Sequence, residues 1–189
     1  PTFWWGNFLL LREPPASAAS VGEWIARFAE EFPDAQHLAI GIDTTAPDPQ
    51  AAAHLTAAGL TVTSFSVMTA SEVHEPAHRN RAATLRPLAS DEDWAQQVEL
   101  MVSDNDGHPE ESFRTFTTQR VAAARSLVSD HGAQWFGAFL DGRLRASLGL
   151  VPAGDRLARF QDVLTDADWR RQGLAGTLVH TASRHGLDV

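Results

Sequence analysis

Arg170 and Arg171 stand directly before Gln172-Gly173-Leu174-Ala175-Gly176, and this grouping has the chemistry of an anion site. Glycines at 173 and 176 remove Cβ atoms, so backbone N–H groups can come close to a ligand. A helix starting here leaves its first N–H groups without intrahelical acceptors, at the positive end of the helix dipole. Such an end binds phosphate, and the two guanidinium groups add charge and paired donors. The carboxylate nearest to this stretch on the preceding apolar run is Asp162. It can act as a general base or anchor an amine, and it equally fits a solvated or hydrogen-bonding strand residue. His180 and His185 lie at helical spacing, but no third ligand accompanies them, so they read as surface histidines and no metal site is expected.

Three elements must position these residues. Ala158 to Thr165 is an apolar strand, carrying Phe160, Val163 and Leu164, and Thr165-Asp166-Ala167-Asp168 is a polar turn. An amphipathic helix follows from about Leu174 to Gly186. Upstream, Gln134–Leu140 and Leu144–Val151 form a hairpin about Asp141-Gly142. Residues 84–88 form a short strand. Ser90 caps a helix whose early acids Asp91, Glu92 and Asp93 suit its positive end. Met101 to Pro109 is a loop, and Glu110 to about Ser129 is a second helix. The order is β-α-α-β-β-β-α. Ahead of it, residues 1–11, 37–43 and 60–69 read as strands; Trp4 and Trp5 belong to the first and the third alternates. Helices lie between them, one capped by Ser20 with Glu23, with Trp24, Ile25, Phe28 and Phe32 on one face, and one from Pro49 to Ala57 ended by Gly59.

Composition narrows the class. The net charge of −9 disfavours nucleic acid or an anionic membrane as the main partner. There is no cysteine, which excludes disulfides, thiolate metal sites and a cysteine nucleophile. There is no tyrosine, and all 15 basic residues are arginines. No run is long enough to span a membrane and no signal peptide is visible, so the expected location is cytoplasmic. The chain begins at Pro1 rather than Met, which reads as a piece of a longer protein. A dinucleotide fingerprint fits less well, because Arg171 stands where its first glycine is required.

Arg170-x-x-Gly173-x-Ala175 resembles the Arg/Gln-x-x-Gly-x-Gly/Ala signature of the GCN5-related N-acetyltransferase superfamily. The resemblance implies an α/β fold, a central mixed sheet flanked by helices. It implies that Arg170, Arg171, Gln172, Gly173, Leu174, Ala175 and Gly176 cradle the diphosphate of acetyl-coenzyme A. Val163, Leu164 and Thr165 would be the splayed strand that holds its pantetheine arm. The function implied is direct transfer of an acetyl group to a primary amine of a small molecule or peptide. Asp104, Asp106, His108 and Glu111 lie on the loop that borders the acceptor in this family, and such an acidic rim would attract a cationic amine or simply be solvated. The tyrosine acid of many family members has no counterpart, and the glutamate base has no clear match, leaving Asp162 as the nearest carboxylate. A non-catalytic acyl-coenzyme A-binding or regulatory module is therefore the alternative.

By the same resemblance, residues 84–189 form the first two-thirds of an acetyltransferase domain and 76–83 a linker. Residues 1–75 read as the last part of a degenerate copy, with Pro14-Pro15-Ala16-Ser17 where the Arg/Gly loop should stand. Phe8 against Phe160 and Val21 against Gly173 share one offset, which sets Val189 against His37. A permuted single domain, its sheet completed by strands 37–43 and 60–69, is the other arrangement of these elements.

Overall fold

The computed structural model describes residues 7–46, 48–105, 107, 109–154 and 156–187. Trp4, Trp5, Asp106, His108 and Val189, named above, lie outside the described residues. The chain divides into two compact units, 1–69 and 70–189.

The first unit contains β1 (Leu9–Leu11), α1 (Ala18–Glu31), β2 (Ile40–Ile42) and α2 (Pro49–Ala57). β1 and β2 pair in parallel, Leu9 opposite Ile40. Leu11, Val21, Phe28, Ala51 and Leu55 are its buried apolar residues. Three expectations are corrected here. α1 starts earlier than expected, because Ser17 and Ser20 satisfy each other's backbone N–H groups at 3.1 and 3.2 Å and so cap the helix without Glu23. Its inward stripe is Val21 and Phe28, whereas Trp24 is 37% exposed. Residues 60–69 form no strand: alternation requires a neighbouring strand edge, none pairs with it among the described residues, and Phe65, Val67 and Met68 are exposed. Asp48 caps α2 and Pro49 opens it, and Gly59 follows its end at φ +84°.

The second unit follows the expected order: β3 (Thr84–Pro87), α3 (Asp91–Ser103), α4 (Glu110–His131), β4 (Gln134–Leu140), β5 (Arg143–Pro152), β6 (Ala158–Thr165) and α5 (Leu174–Leu187). The strands make one antiparallel sheet in the order β3-β4-β5-β6. Residues of β4 and β5 alternate between two layers, which is why both strands read as nearly continuous apolar runs. Trp135, Phe139 and Leu144 pack with Trp94 and Leu100 of α3 and Val121 and Ala124 of α4. Phe136, Ala138, Ala146, Leu148 and Leu150 pack with Leu174, Leu178 and Ala182 of α5. Gly149 is required by contact, since a Cβ there would lie 2.6 Å from the Trp135 indole. α3 is fixed at its start by a capping box: the Ser90 hydroxyl accepts from Asp93 N–H, and the Asp93 carboxylate accepts from Ser90 N–H.

Candidate functional site

β6 is the last strand in the sheet order, so one side of its backbone is unpaired among the described residues. Its pairing with β5 is broken near the middle. Ser147 stands opposite Leu164 and Gly149 opposite Gln161, which leaves Asp162 and Val163 facing Leu148 alone. This is a β-bulge, and Asp162 adopts φ +49° within it. The Asp162 carboxylate accepts from both Nε and Nη2 of Arg120 on α4, with Nε at 3.1 Å. Asp162 therefore ties the bulge to α4. Both of its oxygens are thus engaged by a guanidinium.

A turn joins β6 to α5. Asp166 accepts from Arg145 at 2.7 Å and from Asp168 N–H at 3.1 Å, and its own N–H donates to the Arg145 carbonyl at 2.8 Å. The Arg145 guanidinium lies 4.8 Å from the centre of the Trp169 ring. These contacts, all between residues within and just beneath the turn, hold it against β5. The Thr177 N–H closes onto the Gly173 carbonyl at 3.0 Å. The N–H groups of Leu174, Ala175 and Gly176 thus precede the first intrahelical donor and point out of the helix end. Leu174, Leu178 and Ala182 anchor α5 to the sheet, which fixes where that end points.

The result is an open cleft of about 500 Å³, lined by Val163, Leu164 and Thr165 on one side and by Arg170, Arg171, Gly173, Leu174, Ala175 and Gly176 on the other, with Asp104 and Trp169. Nine of the residues expected to hold a cofactor thus meet in one place. Leu174 lines it through its backbone, since its side chain is buried in the core. Gln172 lines the neighbouring groove instead, and Asp162 does not line the cleft. Arg170 is engaged by the chain itself: it donates to Asp104 at 2.5 Å and to the Thr165 carbonyl at 3.2 Å. Asp104 ends α3, so this pair joins the acidic loop to the cleft wall.

The geometry also gives Gly173 a different reason from the expected one. Its φ of +78° and the space for a Cβ both exclude a side chain, but the atom that fills the space is the His78 carbonyl oxygen. Residues 76–80 lie against the loop. Asn80 N–H donates to the Thr177 hydroxyl at 2.8 Å, and Asn80 Nδ2 donates to the Gln172 carbonyl at 3.0 Å. Pro76 Cβ lies 3.4 Å from where a Cβ of Gly176 would be. Sequence reasoning missed these partners, together with Arg120 and Trp169. The one local signal was Asn80 itself, whose carboxamide oxygen accepts from the N–H groups of Ala82 and Ala83, a turn that asparagine favours.

Other polar groups are enclosed near the sheet. Gln97, Thr117 and Ser147 are wholly buried, and their side-chain polar atoms have no partner among the described residues. No group of three or more metal-ligating side chains occurs among the described residues. His185 packs edge-on against Phe136 at 5.4 Å. No helix among the described residues is long and apolar enough to cross a membrane.

Comparison with curated proteins gave no match. A solved GCN5-related N-acetyltransferase from Kribbella flavida is similar in fold over 100% of this chain and 70% of its own, with TM-score 0.66 and 17% identity. The PaiA N-acetyltransferase from Thermoplasma acidophilum, solved in complex with coenzyme A, aligns over 56% of this chain and 72% of its own, with TM-score 0.46 and 16% identity. The model of the Acetyltransferase (GNAT) family matches residues 93–189, which contain most of α3, then α4, the hairpin, β6 and the whole of the cleft. The mixed α/β architecture, the bulged strand leading into a loop and helix, and that match together place the chain in the Acetyltransferase (GNAT) family, a family of acyl-transferring proteins.

Proposed function

We propose that the protein is an N-acetyltransferase that moves an acetyl group from acetyl-coenzyme A to a primary amine of a small molecule or peptide. The observation that carries this reading is the meeting of the bulged edge strand with the open end of α5 in one cleft. In it, the N–H groups at the start of α5 and the Arg171 side chain receive the diphosphate. The unpaired backbone edge at Val163–Thr165 pairs with the amides of the pantetheine arm as another strand would. Arg170 lies beside both and holds Asp104 at the mouth.

Transfer is a direct attack of the neutral amine on the thioester carbonyl. The carbon–nitrogen bond forms, the carbon–sulfur bond breaks, the sulfur leaves as a thiolate that takes up a proton from solvent, and the amine proton passes to solvent or to a base. Asp162 has a positioning role in this scheme, holding the bulge open through Arg120.

Calorimetric titration of acetyl-coenzyme A tests the reading. Saturable binding is expected, weakened about tenfold by Arg171→Ala, the effect of removing one charge-assisted phosphate contact. A folded chain that binds no acetyl-coenzyme A would overturn it. A second reading, a non-catalytic binding module, is favoured by the commitment of Asp162 to Arg120. Binding without acetylation across a panel of primary amines would select it.

A further inference from the structure

On the far side of Arg171 from the cleft lies a second groove, of about 670 Å³, lined by Glu75, Pro76, Ala77, His78, Arg79, Arg81, Arg171 and Gln172. Its outer wall is residues 75–81, which lie in the same compact unit but outside the span of the family match. That wall is built rather than draped. Asn80 bonds both the Gln172 carbonyl and the Thr177 hydroxyl, and the Thr177 hydroxyl in turn donates to the Gly173 carbonyl at 2.7 Å. Gly173 lacks the Cβ that would push His78 away. The two arginines that flank these anchors, Arg81 next to Asn80 and Arg171 next to Gln172, therefore line a shared groove.

The charge in the groove is unbalanced. Its one carboxylate, Glu75, is paired with Arg79 at 2.9 Å. Arg81 and Arg171 have no ion-pair partner among the described residues, in a chain of net charge −9. His78 adds an imidazole. Two free guanidinium groups suit a group of charge near −2 with several acceptor oxygens, which is the description of a phosphate monoester. Because Arg171 lines both hollows, one ligand can place a diphosphate in the cleft and a monoester in the groove. Coenzyme A has this arrangement, with a 3′-phosphate one ribose away from its diphosphate.

Resting on the proposed use of acetyl-coenzyme A, we propose that Arg81, with Arg171, forms a site for the 3′-phosphate of the donor, so that residues 75–81 make the protein discriminate coenzyme A from its 3′-dephospho form. The experiment is calorimetry of both ligands with the wild-type chain, Arg81→Ala, Arg81→Lys and, as control, Arg143→Ala at the β4–β5 hairpin. The wild type should bind coenzyme A about tenfold more tightly than 3′-dephospho-coenzyme A, as expected for charge-assisted contacts in an exposed groove. Arg81→Ala should lower coenzyme A affinity to that of the dephospho form and leave the dephospho form unchanged. Arg81→Lys should restore part of the difference, and Arg143→Ala should preserve all of it. The discrimination should shrink as salt is raised, because the groups are exposed. Equal affinity of the wild type for the two ligands would overturn this inference and leave the acetyltransferase reading standing, as would Arg81→Ala weakening both alike. Failure of the folded wild type to bind either ligand would instead overturn both.

Discussion

The Arg120–Asp162 pair concentrates the site's architecture at the scale of single residues. Asp162 occupies a left-handed backbone position in the bulge, and its carboxylate is largely enclosed by α4 and β6. Removing Arg120 leaves a partly buried carboxylate without its partner; removing Asp162 leaves the guanidinium so. Arg120→Ala and Asp162→Asn should each cost about 1–2 kcal/mol, between exposed and fully buried pairs. The double variant should cost clearly less than the sum, with a coupling of about 1 kcal/mol. Urea unfolding of the four proteins checks this. Additive losses would mean that the pair does not hold the bulge. Part of this was legible: Asp162 was visible as a carboxylate beside the strand. Its role was not, because the partner lies on α4, 42 residues earlier in the chain.

At the scale of elements, α3 shows how local capping and a distant partner combine. The Asp93 carboxylate is almost wholly buried and accepts from Arg86 at 2.7 Å and from the Ala89 and Ser90 N–H groups. The bond from Arg86 is the largest cause, opposed by burial, and it holds the Asp93 carboxyl well below the usual carboxylate range. A depressed folded value means that the unfolded chain takes up the proton first as pH falls. Asp93 thus stabilises the fold fully above the ordinary aspartate value of about 3.9, and that contribution is lost as the pH drops below it. Compared with Asp93→Asn, the wild type should be more stable at pH 5, with the gap narrower at pH 3. A gap that stays constant between the two pH values, measured by urea unfolding, would sink the assignment.

For the whole molecule, core is unevenly shared. The larger unit has two apolar clusters, one on each layer of a four-stranded sheet. The smaller has a two-stranded sheet with few buried side chains, and its residues 60–69 have no ladder partner among the described residues. Amide exchange should therefore be slowest in β4, β5 and the core-facing turns of α5, and fast throughout residues 60–69. Slow exchange across 60–69 in the same chain would show that this segment pairs after all, as its alternation predicted. The reading of residues 1–75 as a degenerate copy remains a proposal, motivated by element order and the shared offset with 158–189.

The sequence by itself determined what depends on near neighbours. Apolar runs and turn residues set β4, β5 and β6, Ser90 with the early acids started α3, and Arg170-x-x-Gly173-x-Ala175 marked the loop into α5. These are effects of a few consecutive residues, so they can be read without a fold. Tertiary structure decided which of those groups are free. Arg170 and Asp162 are engaged by Asp104 and Arg120, whereas Arg171 is left to face both hollows. It also decided that Gly173 makes room for the His78 carbonyl, and that residues 75–81 form a wall rather than only a connection. Ion pairing and close packing join residues far apart in the chain, and no spacing rule within a short window can foretell them.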